Sequence, residues 1–160
     1  MRITALRLPL TYGPGAKANF ARLARAVRRG IPLPFARIDN RRSLLGIGNL
    51  TDALATVLAD DGAAERGHLT PYLVADGESV STPDLVRGIA AAIGVVPHLL
   101  GLPVSWLRFA GAVSGRGSAV ARLTESLEMD TRAFRSRFDW TPPFTLAQGL
   151  SVAFADHPPP

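Results

Sequence analysis

The chain has 160 residues, of which 47% are hydrophobic and 19% charged, so its length fits one folded domain and its composition excludes a disordered chain. It contains no cysteine, which excludes disulfides, thiolate metal sites and a cysteine nucleophile. The net charge is +5, and Lys17 is the only lysine, so the basic residues are nearly all arginines. Codon bias explains this composition most simply, and the functional explanation is an anionic ligand that arginine binds bidentately.

Strands and helices are predicted to alternate in the first half of the chain. Between 18 and 29, apolar residues such as Phe20 and Leu23 recur at the spacing of one helix face. The patterns of apolar and turn residues predict a strand over 3–8, a loop over 9–15, a helix over 18–29, an extended segment over 31–35, a strand over 43–47, and a helix capped by Asn49 with Asp52 in its first turn.

Helices dominate the second half. Ser81, Pro83 and Asp84 form the pattern of a helix start, with a capping residue, an early proline and an acidic third residue. The patterns predict a polar turn over 60–67, a strand over 72–75, helices over 81–93 and 103–113, a loop over 114–118, a short strand over 127–129, a helix that Asp130 caps and that ends at Phe138, and a last helix capped by Thr145 and Gln148 that ends near 155. The element order fits an α/β or an α+β fold with a thin sheet, one edge of which would be open to a further strand.

The sequence lacks the patterns of several common active sites. Gly46-Ile47-Gly48 lies between a predicted strand and a predicted helix, but Thr51 stands where a dinucleotide-binding loop has its third glycine, so a tight turn is the better interpretation. His68, His98 and His157 lack the spacing of metal ligands, so we expect no metal site. The sequence has neither a phosphate-binding P-loop nor a nucleophile elbow.

Four stretches carry a resemblance to a known family. They are, in order, Thr11-Tyr12-Gly13-Pro14-Gly15, Asn19-Phe20, the run from Arg42 to Ala53, and the closing segment from Asp130 to Leu150. In this order and spacing they resemble the C-terminal, substrate-side portion of an extended short-chain dehydrogenase/reductase. The subgroup is the NAD-dependent epimerase/dehydratase family, whose UDP-glucose 4-epimerase-like members act on nucleotide-diphosphate sugars. The resemblance extends over about residues 3–155.

The resemblance also implies a more specific fold. It is a partial Rossmann-like fold, made of the last strands and helices, together with the small α/β substrate-binding domain of this family. Residues 1–160 would form a single domain that is similar to the C-terminal half of such an enzyme, with the N-terminal NAD(P)-binding half absent. NAD or NADP would be the cofactor of the complete enzyme, and we expect this chain alone to bind neither.

The resemblance further implies a set of binding residues. Those implied to bind the substrate are Asn19, Phe20, Leu33, Arg42 and Arg122, and those implied to bind the cofactor are Pro9 and Tyr12. Several have a simpler interpretation. Asn19 near a helix start is typical of a cap, Leu33 in an extended segment would pack at an edge, and Arg42 in an arginine pair would be solvated.

The sequence departs from the family in three respects. Many members have an asparagine that contacts the sugar nucleotide where Leu10 stands, and an acidic residue is common where Ser43 stands. The acid/base pair of the family requires a tyrosine one helical turn before a lysine. Neither Tyr12 nor Tyr72 is followed by Lys17 at that spacing, so we predict no catalytic residue in this chain.

The resemblance predicts that the chain is the nucleotide-sugar-binding part of an NAD-dependent epimerase/dehydratase and is inactive alone. Two alternatives stay open: a non-enzymatic binding or regulatory module derived from this fold, and a basic polyanion-binding domain. The expected partners are a nucleotide-diphosphate sugar and, through the open sheet edge, the missing N-terminal half or a second copy. We expect no nucleic acid because the arginines are scattered, no membrane contact because no apolar run approaches 18 residues, and a cytoplasmic location.

Overall fold

The computed structural model describes residues 4–60, 71–115 and 117–155 and has the expected α/β architecture. Its elements, in chain order, are β1 (Ala5–Arg7), β2 (Leu10–Tyr12), α1 (Ala18–Arg28), β3 (Arg42–Gly46), α2 (Ile47–Ala59), β4 (Pro71–Leu73), β5 (Ser79–Val80), α3 (Thr82–Ile93), α4 (Val104–Val113), α5 (Gly117–Thr124), α6 (Arg132–Phe138) and α7 (Leu146–Ala153). No helix in these described ranges is long and apolar enough to cross a membrane.

The strands form two small sheets that the segment after β4 joins. β2 pairs in parallel with β3, with Leu10 opposite Leu44, and β5 pairs antiparallel with the other edge of β3. β1 and β4 form a separate parallel pair. The Asp76 N–H donates a hydrogen bond of 2.8 Å to the Leu44 carbonyl, so the chain after β4 runs beside β3.

Two clusters of buried side chains hold the helices against the strands. The larger cluster includes Tyr12 on β2, Phe20 on α1, Ile89 on α3 and Leu150 on α7. In the smaller cluster, Phe134 and the tryptophan after α6 pack edge to face, with ring centroids 5.3 Å apart. The larger cluster fixes α1 and α3 against the sheet, and these helices become walls of the pocket described below.

The N-terminal strands differ from the prediction. The strand predicted over 3–8 is shorter, and the loop predicted over 9–15 contains the second strand, β2. Pro9 has no N–H to donate to a sheet, so it separates the two strands. The pairing of β2 with β3 involves residues more than thirty positions away, which the local pattern does not contain. Similarly, β3 begins at Arg42, one residue before the predicted bound.

Asn49 does not cap α2, contrary to the prediction. The helix begins after Gly46, and Asn49 is buried within its first turn. Its amide donates to Asp76 and to the Phe144 carbonyl, so it links two distant segments. Asp52 is also used elsewhere, because it accepts a hydrogen bond of 2.8 Å from the Trp140 indole. The side chains of Asn49 and Asp52 therefore make tertiary contacts and do not cap the helix.

Several predictions in the second half also need correction. Thr131, not Asp130, precedes α6, and Asp130 instead accepts hydrogen bonds from Arg132. Helix α5 replaces the end of the predicted loop over 114–118, and β5 was not predicted. In the predicted strand over 127–129, only Leu127 makes an isolated bridge, with Arg42. Apart from Asp60, the polar turn predicted over 60–67 lies outside the described residues.

The helices with complete local signals are confirmed. Ser81 caps α3, where its hydroxyl accepts from the Asp84 N–H, and the helix ends at Gly94 in the left-handed conformation. Thr145 and Gln148 form a reciprocal capping box at the start of α7. Helices α1 and α4 also lie where apolar spacing predicts them.

Candidate functional site

A pocket of about 360 Å³ opens between α1, β3, α3 and α5. Its walls include the apolar side chains of Leu10, Phe20, Leu23, Leu33, Phe35, Leu44, Val80 and Leu85. Its polar side chains are Asn19, Arg22, Arg42, Ser81, Thr82 and Arg122. No carboxylate is among the described residues that line it. The pocket thus combines an apolar interior with three positive charges.

The fold brings together every residue that the resemblance implied for substrate binding. Asn19, Phe20, Leu33, Arg42 and Arg122 all line this pocket, although they are spread over about a hundred positions of the sequence. They come from the start of α1, from the extended segment after it, from the start of β3 and from α5. Their common location is a property of the fold.

Arg42 has a structural role in addition to its place in the pocket. One nitrogen, Nη1, donates to the carbonyl of Arg122 at 2.6 Å and to the carbonyl of Glu125 at 3.0 Å. These carbonyls lie at the C-terminal end of α5, where helical carbonyls lack partners within the helix. Arg42 therefore holds the end of α5 at the pocket wall with one nitrogen. The interpretation of Arg42 as a merely solvated residue does not describe these contacts.

Arg122 projects from the last turn of α5. Its Nε donates to the Ser118 carbonyl at 3.1 Å, and its Nη2 donates to the Ser118 hydroxyl at 3.3 Å. Both contacts lie one helical turn before it, so the side chain runs along the helix surface. The exposed arginine keeps further N–H donors that make no hydrogen bond with the described residues, since a guanidinium has five donors.

Asn19 lies inside α1 rather than at its cap. The cap position is Lys17, whose side chain makes no capping hydrogen bond. The Asn19 side-chain oxygen accepts a hydrogen bond of 2.7 Å from Nη2 of Arg22, one turn later on the same helix. Both side chains line the pocket. The capping interpretation of Asn19 is therefore wrong.

Phe20 and Leu33 contribute apolar surface. Phe20 is buried, and its ring lies 5.9 Å from that of Tyr12 and 5.8 Å from that of Phe154. Leu33 is held through its main chain, since its N–H donates to the His98 carbonyl and its carbonyl accepts from the Leu100 N–H. This pairing agrees with the edge-packing interpretation of Leu33 and also fixes its side chain at the pocket.

A second group of polar residues lies beside β2 and β3. We call Tyr12, Gly46, Asn49, Asp76 and Phe144 the Asp76 cluster. Asp76 is 8% exposed, and its carboxylate accepts hydrogen bonds from the Tyr12 hydroxyl at 2.9 Å, from the Gly46 N–H at 3.0 Å and from the Asn49 amide at 2.7 Å. Asn49 in turn exchanges two hydrogen bonds with the main chain of Phe144. The buried polar atoms of the cluster therefore satisfy one another.

Tyr12 has little freedom to act as a site residue through its hydroxyl. Its side chain is 1% exposed, and burial, followed by the negative charge of Asp76 and the hydrogen bond to it, raises the pKa of Tyr12 far above its ordinary value. Pro9, the other residue implied for cofactor binding, is partly exposed at the start of β2. The structure thus separates the two, one buried and one accessible.

The Asp76 cluster also explains the Gly46-Ile47-Gly48 segment. Gly46 ends β3 and Ile47 begins α2, so the turn is tight, as predicted. Negative charge is favourable at the start of a helix. Here the Asp76 carboxylate accepts a hydrogen bond from the Gly46 N–H. The protein's own carboxylate therefore lies at the N-terminus of α2.

Comparison with known proteins finds a sugar-nucleotide epimerase both by sequence and by fold. No family model matches the sequence. A UDP-glucose 4-epimerase of Vibrio cholerae is 39% identical over 151 residues, which are 94% of this chain and 45% of that protein. The UDP-glucuronic acid 4-epimerase of Bacillus cereus, solved with NAD, has a TM-score of 0.68 at 15% identity over 95% of this chain and 43% of its own. MoeE5, solved with UDP-glucose and NAD, has a TM-score of 0.64 at 21% identity over 95% of this chain and 46% of its own.

These comparisons confirm the predicted resemblance. The chain is similar to the C-terminal portion of NAD-dependent epimerase/dehydratases. It spans about half the length of the relatives that it matches. The predicted fold, a partial Rossmann-like fold with the small α/β domain of extended short-chain dehydrogenase/reductases, is confirmed by the same comparison.

Two parts of the site could not be found from the sequence. Arg22 lines the pocket, but its spacing from Asn19 is common on exposed helix surfaces and carries no motif. Asp76 lies in Ala75-Asp76-Gly77, a pattern typical of a surface turn, and its burial depends on partners that are distant in the sequence.

Proposed function

We propose that the pocket binds the nucleoside diphosphate part of a nucleotide sugar. The observation that carries this proposal is the composition of the pocket, in which three arginines surround an apolar interior with no carboxylate among the described lining residues. A nucleoside diphosphate has the complementary chemistry, with a planar base whose faces can pack on apolar side chains at one end and two phosphates at the other. Arginine binds phosphate oxygens through two parallel N–H donors.

Each predicted binding residue has a role in this proposal. Phe20 and Leu33 give the base an apolar surface, as expected for a pocket of this kind. Arg42 and Arg122 approach the phosphates from β3 and α5, and Asn19 approaches from α1. The relative solved with UDP-glucose supports a nucleotide sugar as the ligand class.

We propose that this chain alone does not catalyse a reaction. The sequence has no tyrosine one helical turn before a lysine, and the Tyr12 hydroxyl is committed to Asp76. In a complete enzyme of this family, bound NAD or NADP would supply the hydride chemistry at the sugar. We propose that this cofactor contacts the accessible Pro9, which directly precedes β2. It would contact Tyr12 only through the main chain, because the Tyr12 side chain is buried.

The free edge of β1 suggests the partner. Among the described residues, Ala5–Arg7 pair only with β4, so the opposite edge of this strand has no neighbour. We propose that this edge pairs with a polypeptide that carries the cofactor-binding half, or with a second copy of the chain. Light scattering of the chain alone would detect pairing with a second copy. Light scattering of the chain mixed with the separately produced N-terminal half of a relative would detect pairing with that half. We also propose a cytoplasmic location, which cell fractionation would test.

Calorimetry with UDP, UDP-glucose and uridine tests the proposed binding. We expect both UDP compounds to bind and uridine to bind at least about tenfold more weakly, because it lacks the phosphates. Arg122→Gln should weaken UDP binding about tenfold. The matched control is Arg108→Gln, since Arg108 lies on the neighbouring helix α4 and does not line the pocket.

Three results would contradict parts of this proposal. Absence of UDP binding to the wild-type chain would exclude the nucleotide-sugar site. Binding of heparin that falls steeply with salt, without UDP binding, would favour the polyanion-binding alternative. Conversion of UDP-glucose to its 4-epimer by this chain with NAD alone would disprove the proposed inactivity.

A further inference from the structure

We propose that Arg22 is a further phosphate-binding residue of this pocket, acting together with Asn19. The inference rests on the proposed function of the pocket and adds a residue that neither the sequence motifs nor the resemblance indicates. The observation behind it is the 2.7 Å hydrogen bond from Nη2 of Arg22 to the side-chain oxygen of Asn19, at the pocket wall.

The hydrogen bond fixes which end of the Asn19 amide remains available. The oxygen of Asn19 accepts from Arg22, and the NH₂ group makes no hydrogen bond with the described residues. An amide NH₂ is a donor only, and so is a guanidinium. The pair therefore presents only donors to the pocket. Phosphate oxygens are acceptors, which makes this wall complementary to them.

The Arg22 side chain also makes fewer hydrogen bonds within the protein than the other two arginines of the pocket. Arg42 uses Nη1 for two carbonyls at the end of α5, and Arg122 uses two nitrogens on Ser118. Among the described residues, the only hydrogen bond of Arg22 is the one to Asn19, and no acidic side chain forms an ion pair with it. Its guanidinium therefore keeps most of its donors for a ligand.

The location of Arg22 explains why it can add to the other two arginines. Arg22 lies on α1, whereas Arg42 and Arg122 lie on β3 and α5. Cations on separate walls can bind oxygens of both phosphates from different sides. A site with three arginines and no lining carboxylate carries enough positive charge to neutralise the negative charge of a diphosphate.

The experiment compares Arg22→Gln with Arg25→Gln. Arg25 is exposed, lies one turn later on α1 and is absent from the pocket, so its substitution makes the same charge change without the contact. The ligands are UDP, uridine and inorganic pyrophosphate, titrated at about 0.15 M salt, where charges beyond about 8 Å are screened. Both variants replace exposed side chains, and circular dichroism with thermal unfolding would verify that they fold.

We expect Arg22→Gln to weaken UDP and pyrophosphate binding about tenfold and Arg25→Gln to weaken them less than about twofold. Uridine binding should be the same in all three proteins, because it has no phosphate. Arg22→Lys should recover only part of the loss, since lysine keeps the charge but not the planar pair of donors.

The outcomes separate this inference from the proposed function. If the wild-type chain binds UDP and Arg22→Gln binds it as well as Arg25→Gln does, the role of Arg22 is disproved and the nucleotide site stands. If the wild-type chain binds pyrophosphate but not UDP, and Arg22→Gln loses pyrophosphate, Arg22 binds phosphate in a site that is not a nucleotide site. If the wild-type chain binds neither ligand, both proposals are wrong.

Discussion

The pocket and the Asp76 cluster both place polar groups among apolar side chains, but they use them in opposite ways. In the cluster, the buried carboxylate accepts from three separate donors, and each donor is provided by the protein. In the pocket, Arg22, Arg42 and Arg122 keep N–H donors that point to no acidic partner among the described lining residues. The polar side chains of the cluster are buried, whereas those of the pocket line an open cavity.

This difference distinguishes polar groups that stabilise the fold from polar groups that are available to a ligand. A buried polar network whose members satisfy one another contributes to stability and to a unique arrangement. Donors that remain at the wall of an accessible cavity contribute little to folding and are available for a ligand. Substitutions in the cluster should therefore change the free energy of unfolding, and substitutions in the pocket should change affinity.

The largest expected effect is at Asp76. Asp76→Asn places an NH₂ group where an acceptor oxygen faces buried donors, so at least one of them loses its partner. A buried donor without a partner costs about 1–3 kcal/mol, and a hydrogen bond to a charged group contributes about the same, so we expect a loss of about 3 kcal/mol in the free energy of unfolding. Urea unfolding followed by circular dichroism measures it.

The matched control for this change is Asp39→Asn. Asp39 is exposed, so the same loss of one negative charge should change the free energy of unfolding by no more than about 0.5 kcal/mol. Equal stability of the two variants would show that the Asp76 cluster is not a structural network, and the comparison with the pocket would fail.

A smaller effect is expected where Gly149 packs against the ring of Tyr12. A methyl group at Gly149 would lie 2.6 Å from the Tyr12 hydroxyl oxygen and 3.0 Å from a ring carbon. The ring cannot move without lengthening its hydrogen bond to Asp76. We expect the crowding in Gly149→Ala to cost about 1–3 kcal/mol, offset by about 1 kcal/mol of helix propensity.

Gly117→Ala is the control for this substitution. Gly117 begins α5, and a methyl group there would meet open space. We expect this variant to be as stable as the wild type or slightly more stable, because alanine loses less backbone freedom on folding. If Gly149→Ala were also as stable as the wild type, the packing around the cluster would be looser than the structure indicates.

The fold was predictable where the signals are local. The capping residues Ser81 and Thr145 predicted the starts of α3 and α7, because a cap acts within three residues of itself. Helix α5 was missed because glycines at 115 and 117 flank its start and favour a loop in any local interpretation. Strand β2 was missed because its partner is β3, and pairing between distant strands leaves no local pattern.

The site shows the same limit. Asn19, Arg42 and Arg122 were chosen from the order of motifs along the chain, and the fold then placed them around one pocket. Asn49 was predicted as a cap because asparagine before an apolar helix is the usual capping pattern. Its real partners, Asp76 and Phe144, are more than twenty-five positions away, so its role depends on tertiary structure alone.

The smallest expected effect concerns pH, and it tests whether the Tyr12 hydroxyl in the cluster is shielded from solvent. Burial and the neighbouring Asp76 raise the pKa of Tyr12, so the folded protein keeps the hydroxyl proton at pH values where the unfolded chain, with a tyrosine pKa of about 10, loses it. The folded state then binds more protons than the unfolded state, and this group makes stability fall above about pH 10 by up to about 1.4 kcal/mol per pH unit.

Tyr12→Phe removes both the hydrogen bond and this dependence. At pH 8 we expect the variant to be less stable than the wild type by about 1 kcal/mol. The difference should be constant up to about pH 9 and should close between about pH 10 and 11, because only the wild type loses the contribution of Tyr12 there. Urea unfolding at each pH measures the difference. A difference that stays constant through pH 11 would mean that Tyr12 ionises as easily in the folded chain as in the unfolded one, and the cluster would then be open to solvent as the pocket is.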